Sequence, residues 1–303
     1  VARIGLVLGG GGYAGTAFHA GVLTALAEHG WDARWAEVVV GTSAGATSAS
    51  LLRAGLPPGE YLDVVLGKPR SAAAAEVLAG VGPLRRAPRP RRPRLRPAAP
   101  ALLRRRLPFG VLLAALGPAG TVAVGDVSPG YGDRFQRWPP RPTWITAVSL
   151  ATGRRVVFGK DRGAGTRASL AEAVSASVAI PSYFAPVVIE EVPYVDGGAW
   201  SAHHADLLAQ VPGLDLVVVS APSATADPRA LDAPNLQRVP IAGQLARELR
   251  WADQRGVPVL TFAPDRAVRA AVGLNSMALG RRARVASAAY AMAAAALRRR
   301  ELG

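Results

Sequence analysis

Ser43 lies in the run Gly41-Thr42-Ser43-Ala44-Gly45, a G-x-S-x-G pattern. The chemistry suits a serine nucleophile on a sharp strand-to-helix turn. Glycines two residues to either side avoid clashes with neighbouring backbone. The following helix aims its first N–H groups and partial positive charge at the place where an oxyanion would form. Chance matches to so short a pattern are common in a chain with 33 glycines. A second stretch, Gly9-Gly10-Gly11-Gly12-Tyr13-Ala14-Gly15, has two readings. Gly10, Gly12 and Gly15 satisfy G-x-G-x-x-G between a strand and a helix, the fingerprint of a dinucleotide site. That fingerprint expects a carboxylate at the end of the second strand, and here the second strand runs into "VVVGTSAG" without one. No Gly-Lys-Ser/Thr follows either, so nucleotide binding is disfavoured. Beside a serine nucleophile, consecutive glycines leave N–H groups open to a substrate carbonyl, and such a loop is an oxyanion hole.

A serine nucleophile needs a base. The chain has four histidines, His19, His29, His203 and His204, and each fits an ordinary role as cap, surface or packed residue. A carboxylate is better placed. Asp196 ends an apolar strand and is followed by Gly197 and Gly198, which exposes its side chain at the carboxyl edge of a sheet, where ligands of open α/β folds sit. A turn is the alternative reading of Asp-Gly-Gly.

The surrounding elements supply that edge. Ile4–Leu8 and Glu37–Val40 read as short buried strands. Gly15–Glu28 and the residues from Ala46 to Gly55 read as helices, so the first 55 residues are β-α-β-α and predict an α/β protein with a parallel sheet. Residues 144–159 predict a hairpin and Ala168–Val178 a helix. Strands are predicted at "PYVDGG", 214–221 and 257–264. Helices are predicted over Ile241–Gln254 and Met277–Arg300. Between about 68 and 142 the pattern breaks down into a Pro- and Arg-rich insertion or lid.

Composition limits the rest. The chain has 303 residues, half of them apolar, and no cysteine, which excludes disulfides, thiolate catalysis and Cys-ligated zinc. The net charge is +15, and ten of the arginines fall within 84–106 with no acid among them. The strong preference for Arg over Lys also fits a GC-rich genome. No apolar run reaches the ~20 residues of a membrane span, and the first residues read as a core strand, not as a secretory signal.

Taken together, "GGGGYAG", "GTSAG" and "VDGG", in this order and with a long gap before the last, resemble the patatin-like phospholipase family. The likeness extends through "GTAFHAGVLTAL", "AVSASVAIPSYFAPVVIEEVPYVDGG" and "SAHHADLLA", about 1–65 and 144–220. It implies a three-layer α/β/α fold with a mostly parallel central sheet. It also implies a catalytic dyad of Ser43 and Asp196 with Asp196 as general base. The oxyanion hole would be formed by Gly10, Gly11 and Gly12, with motif glycines at Gly15, Gly41, Gly45, Gly197 and Gly198. The implied reaction is hydrolysis of lipid carboxylic esters through an acyl-enzyme, without metal or cofactor. Two departures stand out. Ala14 occupies a position where the family commonly carries Arg or Lys, so the loop lacks a cation for a lipid phosphate. His203-His204 stand where the family often has Asn.

The expectation is therefore one hydrolase domain over 1–303, cytoplasmic or at the inner membrane face, acting on a lipid ester. The same dyad would also serve a thioesterase or acyltransferase. A catalytically silent scaffold is the reading from a different class, and the presence of both Ser43 and Asp196 argues against it. The arginine segment fits an anionic membrane surface or a solvated loop. Nucleic acid is disfavoured, because no aromatic residue interleaves the arginines.

Overall fold

The computed structural model describes residues 2–80, 108–117, 120–124, 137–160 and 167–301. The arginine-rich segment 84–106 lies outside these residues. Among the described residues eight strands form one sheet: β1 (Ile4–Leu8), β2 (Val38–Thr42), β3 (Thr143–Ser149), β4 (Arg155–Phe158), β5 (Val187–Ile189), β6 (Val192–Asp196), β7 (Leu216–Ser220) and β8 (Val259–Phe262). Their order is β5-β6-β3-β2-β1-β7-β8, with β4 also paired to β3. The five strands β3-β2-β1-β7-β8 are parallel, while β4, β5 and β6 run antiparallel to their partners.

The alternation of side chains across each strand divides the core into two layers. Leu6 and Leu8 of β1 and Val39 of β2 pack with Phe18, Val22 and Leu23 of helix α1 (Gly12–Glu28), and with Leu51 and Leu52 of α2 (Ala44–Arg53). Val7, Val38 and Val40 point the other way, onto Leu207 and Leu208. The remaining helices are α3 (Pro58–Leu66), α4 (Ala72–Gly80), α5 (Phe109–Leu116), α6 (Leu170–Ser177), α7 (Ala233–Leu236), α8 (Val239–Glu248), α9 (Arg250–Gln254), α10 (Arg266–Val272) and α11 (Arg282–Glu301). Leu245 of α8 belongs to the second layer and Val285 of α11 to the first. The protein is thus a three-layer α/β/α structure around a mostly parallel sheet.

Several local expectations change. The region read as an irregular insertion contains α4 and α5, because "AAAAEVLAG" and "FGVLLAAL" carry high helix propensity between the prolines. The single helix expected over 241–254 is two, divided at Leu249. The last helix begins at Arg282, after a 3₁₀ turn over Leu279–Arg281. Three-residue β5 was not anticipated, being too short for a period to show.

α1 and α11 pack backbone against backbone. A methyl group on Gly21 would overlap the Ala286 carbonyl and press on the Tyr290 amide. Overpacking of this kind costs about 1–3 kcal/mol. Gly21→Ala is therefore expected to lower the unfolding free energy by that amount, read as a lower urea midpoint at unchanged slope.

Candidate active site

Strand pairing alone brings the two catalytic candidates together. Ile145 and Thr146 of β3 pair with both β2 and β4, while Ala147 and Val148 pair with both β4 and β6. β2 and β6 therefore share one edge of β3, end to end and running towards each other. β2 ends with Thr42 opposite Thr146, and β6 ends with Asp196 opposite Ala147. The residue after Thr42 is Ser43, so the serine and the aspartate meet where the two strand ends converge. The Ser43 hydroxyl is near enough to the Asp196 carboxylate to favour its ionised form.

Ser43 is 6% exposed and has φ 52°, ψ −118°, a left-handed conformation costly for a side-chain-bearing residue. Its surroundings hold it there. Its N–H donates to Ser177 Oγ of α6 at 2.9 Å, and its carbonyl accepts from the Ala46 and Thr47 amides at the start of α2. Gly45 allows α2 to begin this close to β1, since a methyl group there would overlap the Leu8 carbonyl. The start of α2 thus lies directly beside the glycine loop that follows β1.

In that loop, Gly9 N–H donates to the Ser220 carbonyl at 3.0 Å and Gly10 N–H to the Ala202 carbonyl at 2.8 Å. The Gly10 amide, expected to be an oxyanion donor, is thus committed to the framework. Gly11 is the N-cap of α1 and Gly12 its first residue, positions whose amides have no intrahelical acceptor. The carbonyls behind them are engaged: Ser223 Oγ donates to Gly10 O at 2.6 Å, and Gly15 N–H donates to Gly11 O at 2.8 Å. Donation to a carbonyl polarises the same peptide's N–H, here those of Gly11 and Gly12.

Asp196 is 4% exposed, and its Oδ1 accepts from Gly198 N–H at 2.7 Å. Burial pushes its carboxyl up to about 6, against the lowering effects of the nearby Ser43 hydroxyl and the bond from Gly198. The histidines support the backbone and do not reach the serine. His19 Nε2 donates to Gly9 O at 2.8 Å, so Nδ1 accepts from Ser220 Oγ at 2.7 Å. His204 Nε2 donates to Gly197 O at 3.1 Å, and its Nδ1 accepts from Arg155 Nη1 at 3.2 Å. His203 is fully buried against Gly9, and neither ring nitrogen has a hydrogen-bond partner. Burial lowers all three imidazoles, His19 to about 4 and the other two to about 3, so they stay neutral near pH 7. His29 ends α1, with its Nδ1 donating to Ala25 O.

Sequence reasoning placed His19 on the packed side of its helix, and missed Ser177, Ser223 and the bonds that His19 and His204 make to backbone. Ser177 and Ser223 carry no local signature, because each acts on backbone from a distant element. Among the described residues, no group of three or more His, Asp and Glu is placed to hold a metal ion. No helix among them is long and apolar enough to cross a membrane.

The model of the patatin-like phospholipase family matches residues 6–209. Among solved structures, the chain is similar to VipD from Legionella pneumophila, with 16% identity and a TM-score of 0.48, covering 98% of this chain and 67% of that one. It is also similar to the type III effector protein ExoU, with 17% identity and a TM-score of 0.40. That match covers all of this chain, which spans about half (54%) of the ExoU chain. No curated protein matches the sequence.

The raised carboxyl pKa is a stability statement. A carboxyl near 6 in the folded protein and 3.8 unfolded binds its proton more tightly when folded. The stability it contributes is complete below pH 3.8 and is lost as pH rises through 6. Asp196→Asn is therefore expected to be more stable than the native protein at pH 7.5, by on the order of 3 kcal/mol. The gap is expected to close towards pH 4 in denaturant titrations run at both pH values.

Proposed function

The chain belongs to the patatin-like phospholipase family of lipid hydrolases, and on that premise we propose that it is a serine acyl hydrolase working through Ser43 and Asp196. The observation that supports this reading best is the meeting of the two residues where β2 and β6 converge, with the Ser43 hydroxyl near enough to favour the Asp196 carboxylate. A carboxylate near 4 is a weak base at neutral pH. One lifted to about 6 by burial takes a serine proton more readily while remaining ionised above that pH.

In the proposed cycle, Ser43 Oγ attacks the ester carbonyl as its proton passes to Asp196. The tetrahedral oxyanion accepts from the Gly11 and Gly12 amides, aided by the positive end of α2. Collapse breaks the bond to the alcohol, which leaves with the proton from Asp196, and the acyl group stays on Ser43 Oγ. Asp196 then takes a proton from water, whose oxygen attacks the acyl carbon. Release of the carboxylic acid returns the proton to Ser43. Ser43, Asp196 and the two amides fill the required roles with no histidine among them.

The continuous sheet supports treating the chain as one hydrolase domain. The ten arginines of 84–106 precede α5, whose Leu113 and Leu116 are exposed, and together these favour peripheral contact with an anionic lipid surface at the cytoplasmic face. The substrate is accordingly a lipid ester. A thioester would suit the same dyad, and no separate observation favours it.

Hydrolysis of p-nitrophenyl butyrate tests the dyad. Ser43→Ala and Asp196→Asn are each expected to reduce kcat at least a thousandfold. In the native protein, log kcat/KM is expected to rise with unit slope up to about pH 6 and then level off, as the base loses its proton. Equal rates in the three proteins would remove the dyad from the reaction.

A further inference from the structure

A cavity of about 100 Å³ lies beside the glycine loop, lined by Ser223, Gln237, Arg238, Val272, Leu274 and Ser276, among others. Two of these residues tie it to the oxyanion site. Ser223 donates to the Gly10 carbonyl, and the Ser276 carbonyl accepts the Ala14 amide at 2.9 Å. The Ser276 hydroxyl also lies 3.3 Å from where a side chain on Gly12 would begin. The cavity therefore adjoins the peptides whose N–H groups face the reacting carbonyl.

Its charge is one-sided. Arg238 is only 8% exposed, and its Nη1 donates to the carbonyls of Pro222 and Ala224. No carboxylate among the described residues forms an ion pair with it. The nearby Asp232 is already engaged by Arg269, through Nε at 3.0 and 3.2 Å and Nη2 at 2.6 Å. Two guanidinium groups thus face one carboxylate, leaving one positive charge without a counter-ion in a largely desolvated wall. Burial first and the Arg269 charge second hold Arg238 below the usual guanidinium range, the mark of a cation that an anion would relieve. Arg238 is also the N-cap of α8, an end without a side-chain cap. Among the described residues its Nε and Nη2 are not engaged, and these are the donors a guanidinium presents to two oxygens of one phosphate.

We propose that this cavity receives the phosphate of a phospholipid substrate, with Arg238 as the principal cation and Ser276 as a hydroxyl donor. The proposal rests on the acyl-hydrolase reading above, because it places the substrate's ester at Ser43. It supplies, from the C-terminal third of the chain, the cation that the glycine loop lacks at Ala14. Specificity for a phosphate-bearing ester then resides outside residues 6–209, the span of the family match.

The test has a binding arm and a kinetic arm. Titration calorimetry with sn-glycerol 3-phosphate, on protein carrying Ser43→Ala, reads the cavity without catalysis. Binding is expected, at least tenfold weaker when Arg238→Gln is added and largely kept with Arg238→Lys. Kinetics then compare lysophosphatidylglycerol with monoolein, an uncharged ester. Arg238→Gln is expected to raise KM for the lysophospholipid at least tenfold more than for monoolein, and Arg238→Lys to recover most of that difference.

Absence of glycerol phosphate binding, or binding indifferent to Arg238, would overturn the proposal. So would binding with equal kinetic effects on both esters, which would make the cavity a site for free phosphate and not for the headgroup. Equal loss on both esters with an early unfolding transition in Arg238→Gln and no recovery by Lys would assign Arg238 a structural role, also against the proposal. Glycerol phosphate binding in a protein that hydrolyses neither ester would instead count against the dyad.

Discussion

The site depends on a collision of strands. β2 and β6 run towards each other along one edge of β3 and end at adjacent residues of it, Thr146 and Ala147. Each strand end delivers one member of the Ser43–Asp196 pair, so their proximity follows from backbone register and not from a flexible loop. The parallel half of the sheet then places the end of β1 beside the end of β2, with Leu8 opposite Gly41. The glycine loop accordingly begins next to the serine. The proposed nucleophile, base and amide donors thus share an origin in three strand ends.

Holding that arrangement costs stability in two places. Ser43 has a left-handed backbone, a strain of order 1–3 kcal/mol, which Ser177 and the first turn of α2 counteract through the serine's N–H and carbonyl. Asp196 is a carboxylate removed from water, and its raised pKa measures how poorly the site tolerates its charge. In the proposed mechanism the penalty is tied to function, since a base that was comfortable as an anion would be a weaker base. Neutral histidines complete the frame without adding charge: His19 fixes the Gly9 carbonyl and His204 the Gly197 carbonyl, one on each side of the dyad.

The sequence was most legible where a single element contains its own reason. Ile4–Leu8 is a strand in both readings, because a five-residue apolar run ending in glycine has few alternatives in a parallel sheet. Ser43 and Asp196 were recognisable as candidates because each sits beside glycines at a strand end. Gly10 was misjudged as a donor because its amide is claimed by Ala202, nearly two hundred residues away, and no local pattern encodes that bond. Ser177 and Ser223 were invisible for the same reason. Arg238 looked like one more arginine in a chain biased towards them, and only tertiary packing separates a buried, unpaired guanidinium from a solvated one. The division at Leu249 and the late start of the last helix are matters of tertiary fit that helical periodicity does not resolve.

The central claim is that Ser43 is activated by Asp196. Reaction with a fluorophosphonate probe, followed by peptide mapping over a range of pH, tests it most directly. The account predicts one modified residue, Ser43, labelled at a rate that rises to a plateau above about pH 6 and falls sharply in Asp196→Asn. Labelling at any other serine, or labelling of Ser43 that proceeds equally fast without the Asp196 carboxylate, would contradict it.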